Sequence, residues 1–587
     1  MDLPILAELQ RRRVFRALVG YGIIAFAVLQ IVEPVMHGLH WPDAVLSYVV
    51  VALAVGFPVV VALAWIFDVN AGRIERTAPA SAGPKGMRLG LLLIGVGVLA
   101  ATPGVVWYFV VRSRARPVPA SSSTVATESV TPSIAVLPFA DMSPGKDQEY
   151  FSDGIAEEIL NALAQVEGLR VAGRTSSFYF KGKNEDLATI AARLHVTTLL
   201  EGSVRKAGER VRITAQLINA ADGYHLWSKQ YDRDLTDIFK VQSELATAVV
   251  EALKVKLLPG TLLSSKVHAA RDPEAYRLVL LGLSLMNRQT GESERRAEEV
   301  LEKAVALEPS YAVGWQWLST WRGNAALDAP RGEIQPRLRG AMEAAEKAIA
   351  AEPDYAGGYA ARGYLRSQFL WDWEGARTDF LRTLELNESE VSMHLYATFL
   401  QKVGRLKEAI AAERKVTAVD PLNVYAWTNL GGYLTDDGQF DEARAALARS
   451  LEVTPDNTLA PQELAVIELL EGHPEKALAL IEKMPRELDR LMVVAMAQHD
   501  LGRAREAGQA LEALTAKADS AEGDVAYGLA TVYAWRQEPD RAFEWLDRAY
   551  ARHDLKLRWL KVDTLLRNIR ADPRYAALLK KMNLPPD

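Results

Sequence analysis

Apolar and polar positions follow three different rhythms along this chain. In the first 116 residues, three long apolar runs, 17–35, 45–67 and 89–111, are separated by short polar or basic pieces. Each is close to the ~20 residues a helix needs to cross about 30 Å of hydrocarbon, so the pattern predicts three transmembrane helices. Arg11, Arg12, Arg13 and Arg16 precede the first run, and Arg73, Arg76, Lys85 and Arg88 follow the second. The positive-inside rule then puts the N-terminus in the cytoplasm and, after three crossings, the C-terminal bulk on the other side; Arg112, Arg114 and Arg116 oppose that assignment in smaller number. No small-residue cleavage site follows the first run, which favours a span over a signal peptide. Glu33, Pro34 and Asp68 near run ends read as interfacial groups, and Pro58 and Pro103 as tolerated kinks.

Residues 117–132, "PVPASSSTVATESVTP", have no apolar periodicity and read as a flexible linker. From 133 the rhythm shortens. "SIAVLPF" suits a buried strand, and Ser152 and Asp153 offer an N-cap for a helix carrying Ile155, Ile159, Leu160 and Leu163 on one face. "LRVAG" reads as a second strand and "DLATIAARLH" as a helix buried through Leu187, Ile190, Ala191 and Leu194. "TTLLEGSVRKAGERVRITAQLINA" reads as a hairpin turning near Gly208, "YHLWSKQYDR" as an edge strand, and "DIFKVQSELATAVVEALKVKLL" as a closing amphipathic helix. The expectation is a small α+β domain over 133–258. Phe178, Tyr179 and Phe180 read as a packed strand end.

From 272 to 587 helical periodicity dominates. Pro353, Asn387, Pro421 and Pro455 recur at a step of about 34 residues, a period of paired-helix repeats. The copy from Val424 to Pro455 places Trp427, Leu430 and Leu434 along a helix seam, with small Gly431 and Ala443 where two helices approach, and Pro455 as a stop. Roughly six to eight such pairs, ending in a capping helix, would bury a continuous core around a concave face. The fold class expected is therefore multidomain: N-terminal transmembrane helices, a small α+β domain, and a C-terminal all-α solenoid.

Composition narrows the function. A net charge of -6 supplies no basic excess for phosphates, which argues against a nucleic-acid partner. Cysteine is absent, which removes disulfides, thiol nucleophiles and Cys-type metal sites. Gly145-Lys146 and Gly182-Lys183 lack the rest of a phosphate loop and read as turns; neither a nucleophile elbow nor a zinc-binding His-Glu-x-x-His occurs. His37 and His40 have no further ligand cluster beside them. No catalytic, cofactor-binding or metal residue is expected, and the chain reads as noncatalytic.

"SIAVLPFADMSPGKDQEYFSDGIAEEILNAL", "LLEGSVRKAGERVRITAQLINAADGYHLWSKQYDR" and "DIFKVQSELATAVV" resemble the TolB-amino-terminal-like domain of bacterial signalling proteins, and the 34-residue copies resemble tetratricopeptide repeats. The three spans, with the resemblance to bacterial signalling proteins, imply a multi-pass protein of the bacterial inner membrane with its N-terminus in the cytoplasm and periplasmic C-terminal domains, the bilayer and a protein or peptide being its partners. Self-association stays open. The family's first repeat helices line the groove, which nominates Tyr364, Gln368, His394, Gln401, Tyr425, Thr428 and Asn429; Asn429 stands where carboxylate-binding repeats carry an Asn, while Ala360 and His394 replace an expected Lys. The function implied is a membrane-anchored interaction scaffold, with a regulatory component of nucleotide-cyclase signalling, or a small-ligand sensor built on the α+β domain, as alternatives.

Overall fold

The computed structural model describes residues 132–584 except 167, 254–269, 287–290, 328, 330, 483, 485 and 519–524, and, before them, only Tyr21, Val28, Leu53, 67–70 and 73–76. Residues 1–129 and 130–587 are two separate units.

In the first unit Tyr21, Val28 and Leu53 are helical, and the Tyr21 hydroxyl donates to the Leu53 carbonyl. Strands β1 (Phe67–Asn70) and β2 (Arg73–Arg76) pair antiparallel, with Phe67 opposite Arg76 and Asp68 opposite Glu75. Phe67, expected to end the second span, and Asp68, expected at its interface, thus lie in a hairpin. The expectation of three membrane helices is corrected: among the described residues no helix is long and apolar enough to cross a membrane. The longest, Arg331–Ala351, has charged residues throughout and an internal proline. The helix buried on all sides, Ala526–Trp535, has 10 residues and so reaches about 15 Å. The inner-membrane, multi-pass placement, with its bilayer partner, rested on those spans and falls with them. The remainder of the three runs, Glu33, Pro34, His37, His40, Pro58, Pro103 and residues 117–131 lie outside the described residues.

The second unit opens with a mixed sheet. Strands β3 (Ser133–Val136), β4 (Ala140–Asp141), β5 (Arg170–Val171), β6 (Thr198–Ala207), β7 (Arg210–Asn219) and β8 (His225–Asp234) take the order β5-β3-β6-β7-β8, with β4 extending β3 along β6. β3 runs parallel to β5 and β6, whereas β6, β7 and β8 are antiparallel. The hairpin turns at Gly208, whose φ of 61° is accessible to glycine at little cost, and β8 forms the edge, as their patterns predict. Alternation splits the sheet: Ile134, Val136, Leu200, Val204 and Ile213 face helices α1 (Glu149–Ala164) and α4 (Ile238–Ala252), while Ala135, Leu137 and Leu199 face α3 (Leu187–Leu194).

Two local expectations fail. Helix α1 starts at Glu149, so Ser152 and Asp153 lie within it; the Asp141 carboxylate accepts the Gln148 N–H at 2.8 Å and starts the helix earlier. Residues 174–178 form helix α2 (Arg174–Phe178) in place of a strand end, because a remote partner caps it: the Ser176 N–H donates to Asp420 Oδ1 at 2.7 Å. Ser176 Oγ in turn accepts the Leu422 N–H at 2.7 Å, and the Gly173 N–H reaches the Val419 carbonyl at 3.0 Å. Leu422 and Val453 complete the α3-side core, so the sheet and the helical array share one apolar interior.

The array comprises successive antiparallel pairs, α5 (Pro273–Met286) with α6 (Gly291–Leu307), α7 (Ala312–Leu327) with α8 (Arg331–Ala351), α9 (Ala356–Leu365) with α10 (Trp373–Leu386), and α11 (Glu390–Lys402) with α12 (Leu406–Val419). These are followed by α13 (Val424–Asp436) with α14 (Phe440–Val453), α15 (Leu459–Leu470) with α16 (Pro474–Ile481), α17 (Glu487–Asp500) with α18 (Ala504–Ala518), and α19 (Ala526–Trp535) with α20 (Pro539–Ala551). Gly431 lets α13 and α14 touch: a Cβ there would lie 2.6 Å from the Leu447 side chain. A C-terminal tail follows, with 3₁₀ turns at Leu555–Trp559 and Thr564–Ile569 and helix α21 (Pro573–Lys581). It folds back on the array. Trp371 stacks on His553 with ring centroids 3.9 Å apart, and the Trp373 indole N–H donates to the Met582 carbonyl at 2.8 Å.

Candidate interaction surface of the repeat array

The first helices of successive pairs, α11, α13, α15 and α17, present the same register positions to two environments. Toward their N-terminal ends, Val391, Tyr425 and Leu459 stand 34 residues apart and are 60%, 62% and 37% exposed. Three large apolar side chains at one repeat position form an exposed ladder, each rung at the start of its helix. Leaving such groups in water forfeits the roughly 25 cal/mol per Å² that burial would return, so the ladder is suited to a partner's apolar surface.

Elsewhere along their length the same helices meet the tail. The Gln401 amide donates to Asp436 Oδ2 at 2.6 Å, tying α11 to α13. Lys402, 1% exposed, lies 5.5 Å over the Trp559 ring; burial, and then the nearby Arg558, drive its ammonium well below the usual lysine range. Asp436 is held well above the usual carboxylate range by burial, and Glu463 is raised to about 7 by exclusion from water with Asp563 and Asp489 nearby. Asp563, from the tail, accepts the Tyr527 hydroxyl at 2.8 Å, and Lys556 reaches Asp489 at 3.3 Å. Tail and helices therefore bury polar groups together, with several like charges close to one another.

The nominated residues divide between these environments. Tyr364 donates to Asn324 Oδ1 at 3.3 Å and packs edge-on to Phe369, with Gln368 and Arg558 beside its hydroxyl. Gln368 belongs to a π turn, Arg366–Leu370. His394 Nδ1 lies 2.7 Å from Glu413 Oε1; Glu413 is fully buried, and burial raises its carboxyl against the pull of His394. Thr428 is buried, donating to the Val424 carbonyl at 2.8 Å with Ser450 Oγ 2.7 Å away. Asn429 is half-buried beside the Tyr433 hydroxyl, and Tyr425 stands in the open. Sequence reasoning passed over Val391 and Leu459, although the 34-residue step from Tyr425 points to both. It also passed over Lys402 and Glu463, which gain their surroundings only from the folded-back tail.

Stacked helix pairs at this period define a tetratricopeptide-repeat array, a protein-interaction scaffold whose class binds proteins or peptides. Residues 434–490 match the tetratricopeptide repeat family model. A Rhizobium meliloti (strain 1021) protein, provisionally named adenylate cyclase 3, is 39% identical over 218 residues, 37% of this chain; the chain spans 37% of the length of that relative. Similar solved structures include PilW, a widely conserved type IV pilus biogenesis factor, at 26% identity and a TM-score of 0.31, covering 37% of this chain and 98% of that one. YrrB, described as a TPR protein with an unusual peptide-binding site, is similar at 19% identity and a TM-score of 0.25, covering 37% of this chain and 99% of its own.

Proposed function

We propose that the chain is a noncatalytic scaffold that recognises a protein partner through the exposed ladder Val391, Tyr425 and Leu459. The ladder is the observation that supports this reading: three large apolar groups repeat at one register on neighbouring helices and remain exposed. Of the other nominated residues, Tyr364, Gln368 and Gln401 are engaged with the tail or a neighbouring helix and Thr428 is buried, which leaves half-buried His394 and Asn429 as polar groups on the helices that carry Val391 and Tyr425. In this reading residues 272–587 hold the partner. Residues 133–258, taken as a TolB-amino-terminal-like domain after the linker 117–132, form a second module. A photo-crosslinking residue at position 425 tests the proposal, with one at exposed Tyr224 as control. A discrete protein adduct at 425 and none at 224 is expected; equal or absent labelling at 425 contradicts it.

A second reading has one observation in its favour. The similarity to a protein named as an adenylate cyclase supports a regulatory component of nucleotide-cyclase signalling, in which the partner would carry the cyclase activity. Cyclic-nucleotide formation by the isolated chain, with ATP and a divalent metal, would contradict the noncatalytic assignment in both readings.

A further inference from the structure

The sheet carries a ligand-site geometry remote from the ladder. β3 leads through α1 to β5 on one side and, beyond β5, the chain returns through α3 to β6 on the other. Because α1 packs on one face and α3 on the opposite face, the connections diverge between β3 and β6. In open α/β sheets such a divergence opens a crevice at the carboxyl ends of the parallel strands, where ligands bind. The pairing is irregular here: it runs to Val136 with Leu200, the Leu137 N–H still donates to the Leu200 carbonyl at 2.9 Å, and it resumes at Ala140 with Ser203, so residues 137–139 stand opposite only Glu201 and Gly202, with the Phe139 ring against Gly202. A cleft of about 720 Å³ lies there, within the range of small-molecule sites.

Two turns that look unrelated in sequence converge on it. Lys146, from one turn, and Gly182-Lys183, from the other, line the cleft against an apolar wall that includes Leu137, Phe180 and Ile190. Most of the cleft's acids are engaged: Asp141 accepts the Ser143 and Gln148 N–H groups, Glu149 pairs with Lys181 at 2.9 Å, and Glu185 pairs with Arg193 at 3.1 Å. Lys183 lies 3.0 Å over the Tyr179 ring and Lys146 faces Asp141 at longer range, and among the described residues neither makes a close ion pair with a carboxylate. Glu201, on the sheet side of the cleft, likewise has no ion-pair partner among them. The lining thus offers two cations, one carboxylate acceptor and an apolar wall.

We infer that this cleft binds a small organic anion, its phosphate or carboxylate between Lys146 and Lys183, with a hydroxyl or amino group donating to Glu201. Calorimetry on the full chain tests it with two probes, adenosine 5′-monophosphate for a phosphate ester and L-glutamate for a carboxylate. Binding of either with a Kd below about 1 mM, weakened at least tenfold by Lys146→Glu with Lys183→Glu and by Glu201→Gln, is expected, and the probe that binds identifies the anion. All three positions lie at the surface of the cleft, and an unchanged melting temperature certifies the folded state. Failure of both probes at that concentration, or binding that survives the substitutions, overturns the inference.

Discussion

Asp420 joins the sheet to the repeats through one carboxylate. It is 1% exposed, accepts the Ser176 N–H at 2.7 Å and the Asn423 side-chain amide at 2.9 Å, and so satisfies the start of α2 and the turn before α13 together. Asp420→Ala leaves the buried Ser176 N–H without an acceptor and should cost about 1–3 kcal/mol, read as a lower denaturant midpoint. Glu463 makes a second residue-scale prediction. Its folded value of about 7 lies above its ordinary 4.5, so its protonated form favours the folded state. That contribution is complete below about 4.5 and is lost as pH rises through about 7. The melting temperature should therefore fall across that window, and Glu463→Gln should flatten the decline; an unchanged slope would contradict this assignment. Asp420 and Glu463 are ordinary polar residues in the sequence, and their roles were illegible there because each depends on a group far along the chain.

At the scale of elements the sequence was more informative, for a physical reason. Alternation along β7 and the apolar stripes of α1, α3 and α4 record burial directly, so the hairpin and these helices were legible. The 34-residue step was legible too, because each pair reuses one geometry: Gly404, Gly438 and Gly472 hold φ near 80° at equivalent turns. Helix α2 was misread because its cap is supplied by another element, and the apolar runs near the N-terminus were read by hydropathy alone. Gly431 tests the packing argument. Gly431→Val should push α13 from α14 at the Leu447 contact and cost about 1–3 kcal/mol by overpacking, measured by chemical denaturation.

Across the whole second unit, the sheet is linked to the middle of the array through Asp420 and Leu422, and the tail links the last pair to Trp371 and Trp373. Such ties brace a repeat stack whose neighbours otherwise touch only in sequence order. The tail also covers part of the first helices, including Lys402 and Asp489, while Val391, Tyr425 and Leu459 stay exposed. The convergence of Lys146 and Lys183 beside the sheet belongs to this scale as well, since their separation in sequence gave no sign of a shared cleft. The most direct test of the scaffold reading compares the wild-type chain with Val391→Glu, Tyr425→Glu and Leu459→Glu combined, by quantitative affinity capture of the protein crosslinked at position 425. The account predicts at least a tenfold loss of that partner with an unchanged melting temperature; capture at the wild-type level by the folded triple variant would contradict it.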